Sequence, residues 1–168
     1  MTIIIGIDPG SQRTGYGIIQ MQGNRYIYLT SGHLDLTAFP AALRLRHIFL
    51  GIQEIIETHQ PEEAAIEQVF MHQNPNSALK LGQARGAAIV ALSIPVAEYS
   101  ARAVKKSVVG NGAAKKEQVQ YMVKRLLNLS HQLQADAADA LAIALCHAQA
   151  RKLTQLLSRL QKATMKGI

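Results

Sequence analysis

The sequence predicts an α/β domain: a mixed five-stranded sheet, three antiparallel strands followed by shorter ones, flanked by helices. Two patterns carry that prediction. Three strand-like runs follow one another from the N-terminus, and helical and short strand-like segments then alternate, as expected of a sheet with helices on its faces. Of the 168 residues 48% are hydrophobic, enough to bury one sizeable core. Residues 1–150 are read as that single domain. Residues 151–168 hold five basic and no acidic side chains, and are read as a partly ordered basic tail or a helix extension.

Residues 2–8 are apolar and rich in isoleucine on both faces, so this strand is expected at the centre of the sheet. Runs at 16–22 and 25–34 follow, with a Gly-Asn turn between them, and read as antiparallel neighbours. Pro40 suits the opening of a helix, along which Leu45, Ile48, Phe49, Ile52, Ile55 and Ile56 recur at helical spacing until Pro61. A short strand is expected at 63–67. Asn76 or Ser77 is the expected cap of a second helix reaching about residue 92, whose Gly82, Ala84, Gly86, Ala87 and Ala88 allow another backbone to approach closely. Residues 95–100 read as a fifth strand. Val119, Met122, Val123, Leu126 and Leu127 then mark an amphipathic helix, and a last helix starts near Ala135.

The formal charge is +7, from 18 Lys and Arg against 11 Asp and Glu, which favours a polyanionic partner, nucleic acid first. Between Arg102 and Arg125 seven cations meet one acid, Glu117, a density that suits a phosphate-binding surface. Cys146 is the only cysteine, so neither an internal disulfide nor a cysteine-based zinc site is available, and a reducing compartment is expected. The N-terminus carries neither a signal-peptide pattern nor a run long enough to span a membrane; a cytoplasmic protein is expected.

Three of the four aspartates occupy unusual places. Asp8 ends the central strand before Pro9 and Gly10, either as a turn former or as a carboxylate at the end of the sheet where α/β proteins bind ligands. Glu67 ends a second apolar strand and, by itself, reads first as a solvated strand end. Asp136 and Asp139, three apart, share one helix face. Helix capping explains Asp136 well, but Asp139 stands in "AADALAIAL", where a charge is costly unless something pairs with it. A cation would. Hard carboxylate oxygens suit Mg²⁺ or Mn²⁺, and two such ions about 4 Å apart can activate a water and stabilise a leaving 3′ oxygen. No Walker A pattern or Ser or Cys nucleophile motif offers another chemistry, and the "GIDPGSQRTGYG" segment is at best a phosphate-approach loop.

The motifs "GIDPGSQRTGYG", "AIEQVF", "SALKLGQARG", "VVGNGAAKKEQV" and "QADAADALAIA", in this order over about residues 3–148, resemble the RuvC family of bacterial Holliday junction resolvases, within the RNase H-like superfamily. The resemblance implies an RNase H-like sheet and a metal-dependent endonuclease that resolves four-way DNA junctions by paired symmetric nicks, leaving 5′ phosphate and 3′ hydroxyl ends. It places Asp8, Glu67, Asp136 and Asp139 at the four metal-binding catalytic positions, with two Mg²⁺ ions per site and Mn²⁺ able to substitute. It sets Lys105 and Lys116 near the scissile phosphate, and Phe70 against an unpaired base at the crossover. Arg13, Lys80, Arg85, Lys106 and Lys115 are further DNA-contact candidates, with Lys80 and Arg85 alternatively facing a partner subunit and Lys106 and Lys115 alternatively forming a solvated basic face. Gln12 and "MHQNPN" differ from many relatives. The resemblance also implies a homodimer through the second helix and association with the RuvA and RuvB branch-migration complex.

Two rivals remain at this stage. One is a non-catalytic DNA-binding module in which the acids are caps and turns. The other is an actin-like phosphotransferase, which normally needs two such domains and more residues than this chain has.

Overall fold

The computed structural model describes residues 1–69 and 75–165, so Phe70 and most of the "MHQNPN" segment lie outside the described residues. Five strands run β1 (Thr2–Asp8), β2 (Arg13–Gln22), β3 (Arg25–Asp35), β4 (Glu63–Glu67) and β5 (Val96–Tyr99). The helices are α1 (Ala41–His59), α2 (Pro75–Ala91), α3 (Ala101–Val109), α4 (Lys116–Leu126) and α5 (Ala135–Met165). The sheet order is β3-β2-β1-β4-β5, antiparallel across β3, β2 and β1 and parallel from β1 to β5. β1 is therefore the central strand, as its two apolar faces predict.

Alternation along β1 divides the core into two layers. Ile5 and Ile7 join Ile18, Ile66, Ile48, Ile52 and the alanines of α2 on one face, and Ile4 joins α3, α4 and α5 on the other. Asp8 and Glu67 follow Ile7 and Ile66, which are register partners on adjacent parallel strands. Both carboxylates therefore sit at the same sheet end and on the α5 face.

α5 lies directly on the backbone of the sheet. A Cβ at Gly6 would come within 2.1 Å of the Ala140 carbonyl oxygen, and one at Gly15 within 2.2 Å of the Asp136 carbonyl oxygen. Glycine is the residue that permits this approach. The first turns of α5 are thus pressed against β1 and β2, which fixes where Asp136 and Asp139 stand relative to Asp8. Gly6, Gly15 and Gly17 of "GIDPGSQRTGYG" serve this helix seat, a role the sequence does not announce.

Several boundaries differ from expectation. β2 starts at Arg13, earlier than its apolar run, because pairing with Asp8 and Asp35 extends it. α2 starts at Pro75, so Asn76 and Ser77 stand inside its first turn. α3 was not expected. Its signals are Ser100, whose hydroxyl accepts a hydrogen bond from the Ala103 N–H at 3.2 Å, Gly110 at φ 87° as a left-handed C-cap, and Val104 and Val108 buried four apart. Asp136 is not a cap: α5 begins one residue before it, and the Gln134 carbonyl accepts from Ala138. Beyond residue 150 the chain continues as helix to Met165. Among the described residues no helix is long and apolar enough to cross a membrane.

Candidate active site

Four carboxylates face a common region where β1, β4 and the first two turns of α5 converge. The Asp8 carboxyl is pushed up to about 7, first by burial and then by the negative charges of Asp139, Glu67 and Asp136, with Lys116 opposing. Glu67 is also raised, by burial and then by Asp139, while Lys105 pulls it down. Mutual repulsion of this kind requires proximity. The four acids named from the sequence therefore form one electrostatic cluster, and each of the simpler roles, turn, strand end or cap, leaves that clustering unexplained.

Lys116, the first residue of α4, donates to the Asp139 carboxylate at 2.7 Å. That bond is the main reason its ammonium is held charged above its ordinary range, against the cost of burial and with help from Asp8 and Asp136. The pairing demanded by a charge in the apolar helix is thus supplied in part by a lysine from another element.

Two adjoining clefts expose the cluster. One, of about 260 Å³, is lined by Glu67, Lys105, Lys116 and Asp139 over a floor of Val104, Val119 and Ala142. The other, about 140 Å³, is lined by Asp8, Pro9, Glu67, Gln68, Val69 and Leu81, and shares Ala101 as well as Glu67 with the first. Among the described residues no three acidic, histidine or cysteine side chains are drawn as tight as a coordination sphere, and Asp139 is turned toward Lys116. The donor chemistry nevertheless fits a hard divalent cation. All four groups offer carboxylate oxygens, and the charge that raises Asp8 and Glu67 is what such an ion would neutralise.

The remaining candidates are placed differently. Arg85 is turned inward, pairing with Glu98 on β5 while its Nε–H donates to the Glu67 carbonyl oxygen at 3.2 Å. It supports the strand end that carries Glu67 and is not a free surface cation. Lys80 is exposed on α2 and borders a small groove with Ser11, Arg44 and Gln83. Arg13 is exposed opposite Asp35, Lys106 is exposed in the last turn of α3, and Lys115 precedes α4, its N–H donating to Gln118 Oε1 at 2.8 Å. Sequence reasoning missed Arg85 as a support for Glu67, because a helix rich in small residues does not reveal which way one long side chain turns.

The sequence profile described as "Crossover junction endodeoxyribonuclease RuvC" matches residues 4–147. The chain is 60% identical over 153 residues to the crossover junction endodeoxyribonuclease RuvC of Acinetobacter baumannii, covering 89% of this chain and 84% of that one. It is 59% identical over 150 residues to the protein of that description from a Shewanella species, covering 88% and 87%. Its fold superposes on Thermus thermophilus RuvC in complex with Holliday junction substrate with a TM-score of 0.85 at 32% identity, covering 92% of this chain and 97% of that one. The match spans β1 to the middle of α5, every strand of the sheet and all four acids included, and the chain belongs to the crossover junction endodeoxyribonuclease RuvC family.

Proposed function

We propose that this chain resolves Holliday junctions as a homodimer, cutting two opposed strands by divalent-metal-dependent hydrolysis that leaves 5′ phosphate and 3′ hydroxyl ends. The observation that carries the site assignment is the repulsive cluster of Asp8, Glu67, Asp136 and Asp139, open to solvent beside Lys105 and Lys116.

The four carboxylates would hold Mg²⁺, with Mn²⁺ as a substitute and two ions per site as the expected load. Bound there, the ions supply Lewis acidity toward the attacking water and the leaving 3′ oxygen. The protein's part is positional and electrostatic. Asp8 and Glu67 are fixed by adjacent strand ends, and Asp136 and Asp139 by a helix that cannot slide over Gly6 and Gly15. Lys116 stays protonated beside Asp139, so it acts as a fixed positive charge toward the phosphate and is a poor proton donor. Lys105, which lines the same cleft, adds a second positive charge.

The two-fold symmetry of a four-way junction calls for two matched sites. α2 offers the surface for a second copy. Leu79 and Val90 are 65% and 74% exposed, and space above Gly82 and Gly86 is open, so one face of the helix presents an apolar stripe with two gaps in it. Association with RuvA and RuvB, and the DNA-contact roles of Phe70, Arg13, Lys80, Lys106 and Lys115, rest on the resemblance.

The test is nicking of a synthetic four-way junction in Mg²⁺ by the native chain and by Asp8→Asn. Symmetric paired nicks by the native protein, with binding but no cleavage by the variant, are expected. Equal cleavage by both would remove Asp8 and its neighbours from the chemistry.

A further inference from the structure

We infer that Arg102, Lys105 and the turn through Gly112 form a second phosphate-binding subsite, which takes a backbone phosphate adjacent to the one that is cut. The inference deepens the proposed function and rests on it. On α3, Val104 and Val108 point into the core, leaving Arg102 and Lys105, one helical turn apart, to line a cleft with Asn111, Gly112 and Ala113. This cleft, about 440 Å³ and open to solvent, has no acidic residue in its lining. Among the described residues neither Arg102 nor Lys105 forms an ion pair with a carboxylate, whereas Lys116 and Arg85 do.

The turn is built to hold Arg102. Gly110, at φ 87°, ends α3 and sends the chain back along it. The turn is closed by the Ala113 N–H donating to Asn111 Oδ1 at 3.0 Å and by the Ala114 N–H donating to the Asn111 carbonyl at 3.2 Å. Gly112 then lies flat against the arginine: a Cβ there would stand 2.7 Å from Arg102 Cγ and 3.3 Å from both its Nε and its carbonyl oxygen. The aliphatic stem is thereby steered, and the guanidinium, whose planar fork matches phosphate oxygens, is left for a ligand.

Position selects the ligand. Lys105 lines both this cleft and the cleft of Glu67, Lys116 and Asp139, so the two share a wall. A single small anion would use one of them. A nucleic-acid strand presents phosphates in series, and one seated at the carboxylates would place a neighbour over Arg102.

The experiment pairs protein variants with junctions that carry one neutral methylphosphonate at each phosphate flanking the nick in turn, reading binding and single-turnover nicking. Arg102→Gln keeps most of the stem and loses the charge at an exposed position. For the native protein one flanking methylphosphonate is expected to weaken binding severalfold, and for Arg102→Gln that same substitution is expected to cost nothing further. The log–log salt slope of binding should become shallower by about one for the variant. Gly112→Ala should reproduce the loss, with no added effect in the Arg102→Gln background, and Arg102→Lys should recover part of it. Equal penalties in native and variant proteins at every flanking position would overturn the subsite. Failure of the native protein to nick the unmodified junction would instead count against the proposed function, and the binding arms would still decide the subsite.

Discussion

The ammonium of Lys116 lies 2.7 Å from a carboxylate oxygen of Asp139, joining the first turn of α4 to the second turn of α5. On the proposed reading the lysine occupies a carboxylate that the metal would use, and would also supply a positive charge where phosphate negative charge develops. Removing it should therefore act in two directions at once. Lys116→Ala is expected to lower the single-turnover nicking rate by about 10²-fold, on the scale of losing one preorganised electrostatic donor. It should also shift the Mg²⁺ midpoint to lower concentration, because a competitor for Asp139 is gone. A titration of rate against Mg²⁺ at saturating protein reads both. A drop in rate with a raised midpoint would mean that Lys116 helps to gather the acids.

Asp8 gives a pH prediction. Its carboxyl is raised from 3.8 to about 7, so the folded metal-free protein binds a proton there more tightly than the unfolded chain does. This contribution favours the fold below about pH 4 and is lost as pH rises through about 7. In EDTA, Asp8→Asn should be more stable than the native protein above pH 7, by at most about 4 kcal/mol, and the difference should shrink as the pH falls toward 4. Mg²⁺ should reverse the order at pH 8, since only the native protein gains from binding it. Thermal melts with and without Mg²⁺ between pH 5 and 8 test the sign.

Arg85 is expected to act through Glu67. Arg85→Ala removes the hydrogen bond to the Glu67 carbonyl and the pairing with Glu98, which should raise the Mg²⁺ midpoint and slow nicking severalfold with little change in junction affinity. Glu98→Gln should produce a smaller shift in the same direction. A loss of junction affinity with an unchanged Mg²⁺ midpoint would instead favour a DNA contact for Arg85.

The α2 face predicts the assembly. A Cβ at Gly86 meets nothing within 4 Å, so Gly86→Glu should leave the monomer folded and place a charge in the dimer contact. Sedimentation should show dissociation at concentrations where the native chain is dimeric. Nicks should then become single and uncoordinated on the two opposed strands. Retention of the native dimer would move the interface off this helix face.

α1 and α4 could be read from the helical spacing of their apolar positions, and the central strand and β4 from short apolar runs. α3 could not be read that way: its two buried valines stand among three cations, and only Ser100 and Gly110 mark its ends. The four acids were visible as types and places, and the argument that Asp139 requires a partner in an apolar helix was sound. Its partner, Lys116, lies on another helix, and contacts between elements leave no trace in local spacing. Arg85 shows the same limit, since spacing places it on α2 without indicating that it turns toward β4 and β5. The glycines at 6 and 15 were read with the loop between them, although their purpose is set by α5, more than a hundred residues later.

The contact of Gly6 with the Ala140 carbonyl has a consequence for how such a chain can vary. Metal centres built on loops can be retuned by shifting a loop while the scaffold stands still. Here the residues that seat α5 on the sheet and the residues that carry two of the carboxylates share the same few turns of one helix, so close to the sheet that a Cβ at Gly6 would stand 2.1 Å from the Ala140 carbonyl oxygen. A substitution such as Gly6→Ala would lift the helix and the acids together. Drift in the interior would thus surface as altered chemistry, and a population screened only for cleavage would be screened, at these positions, for packing as well.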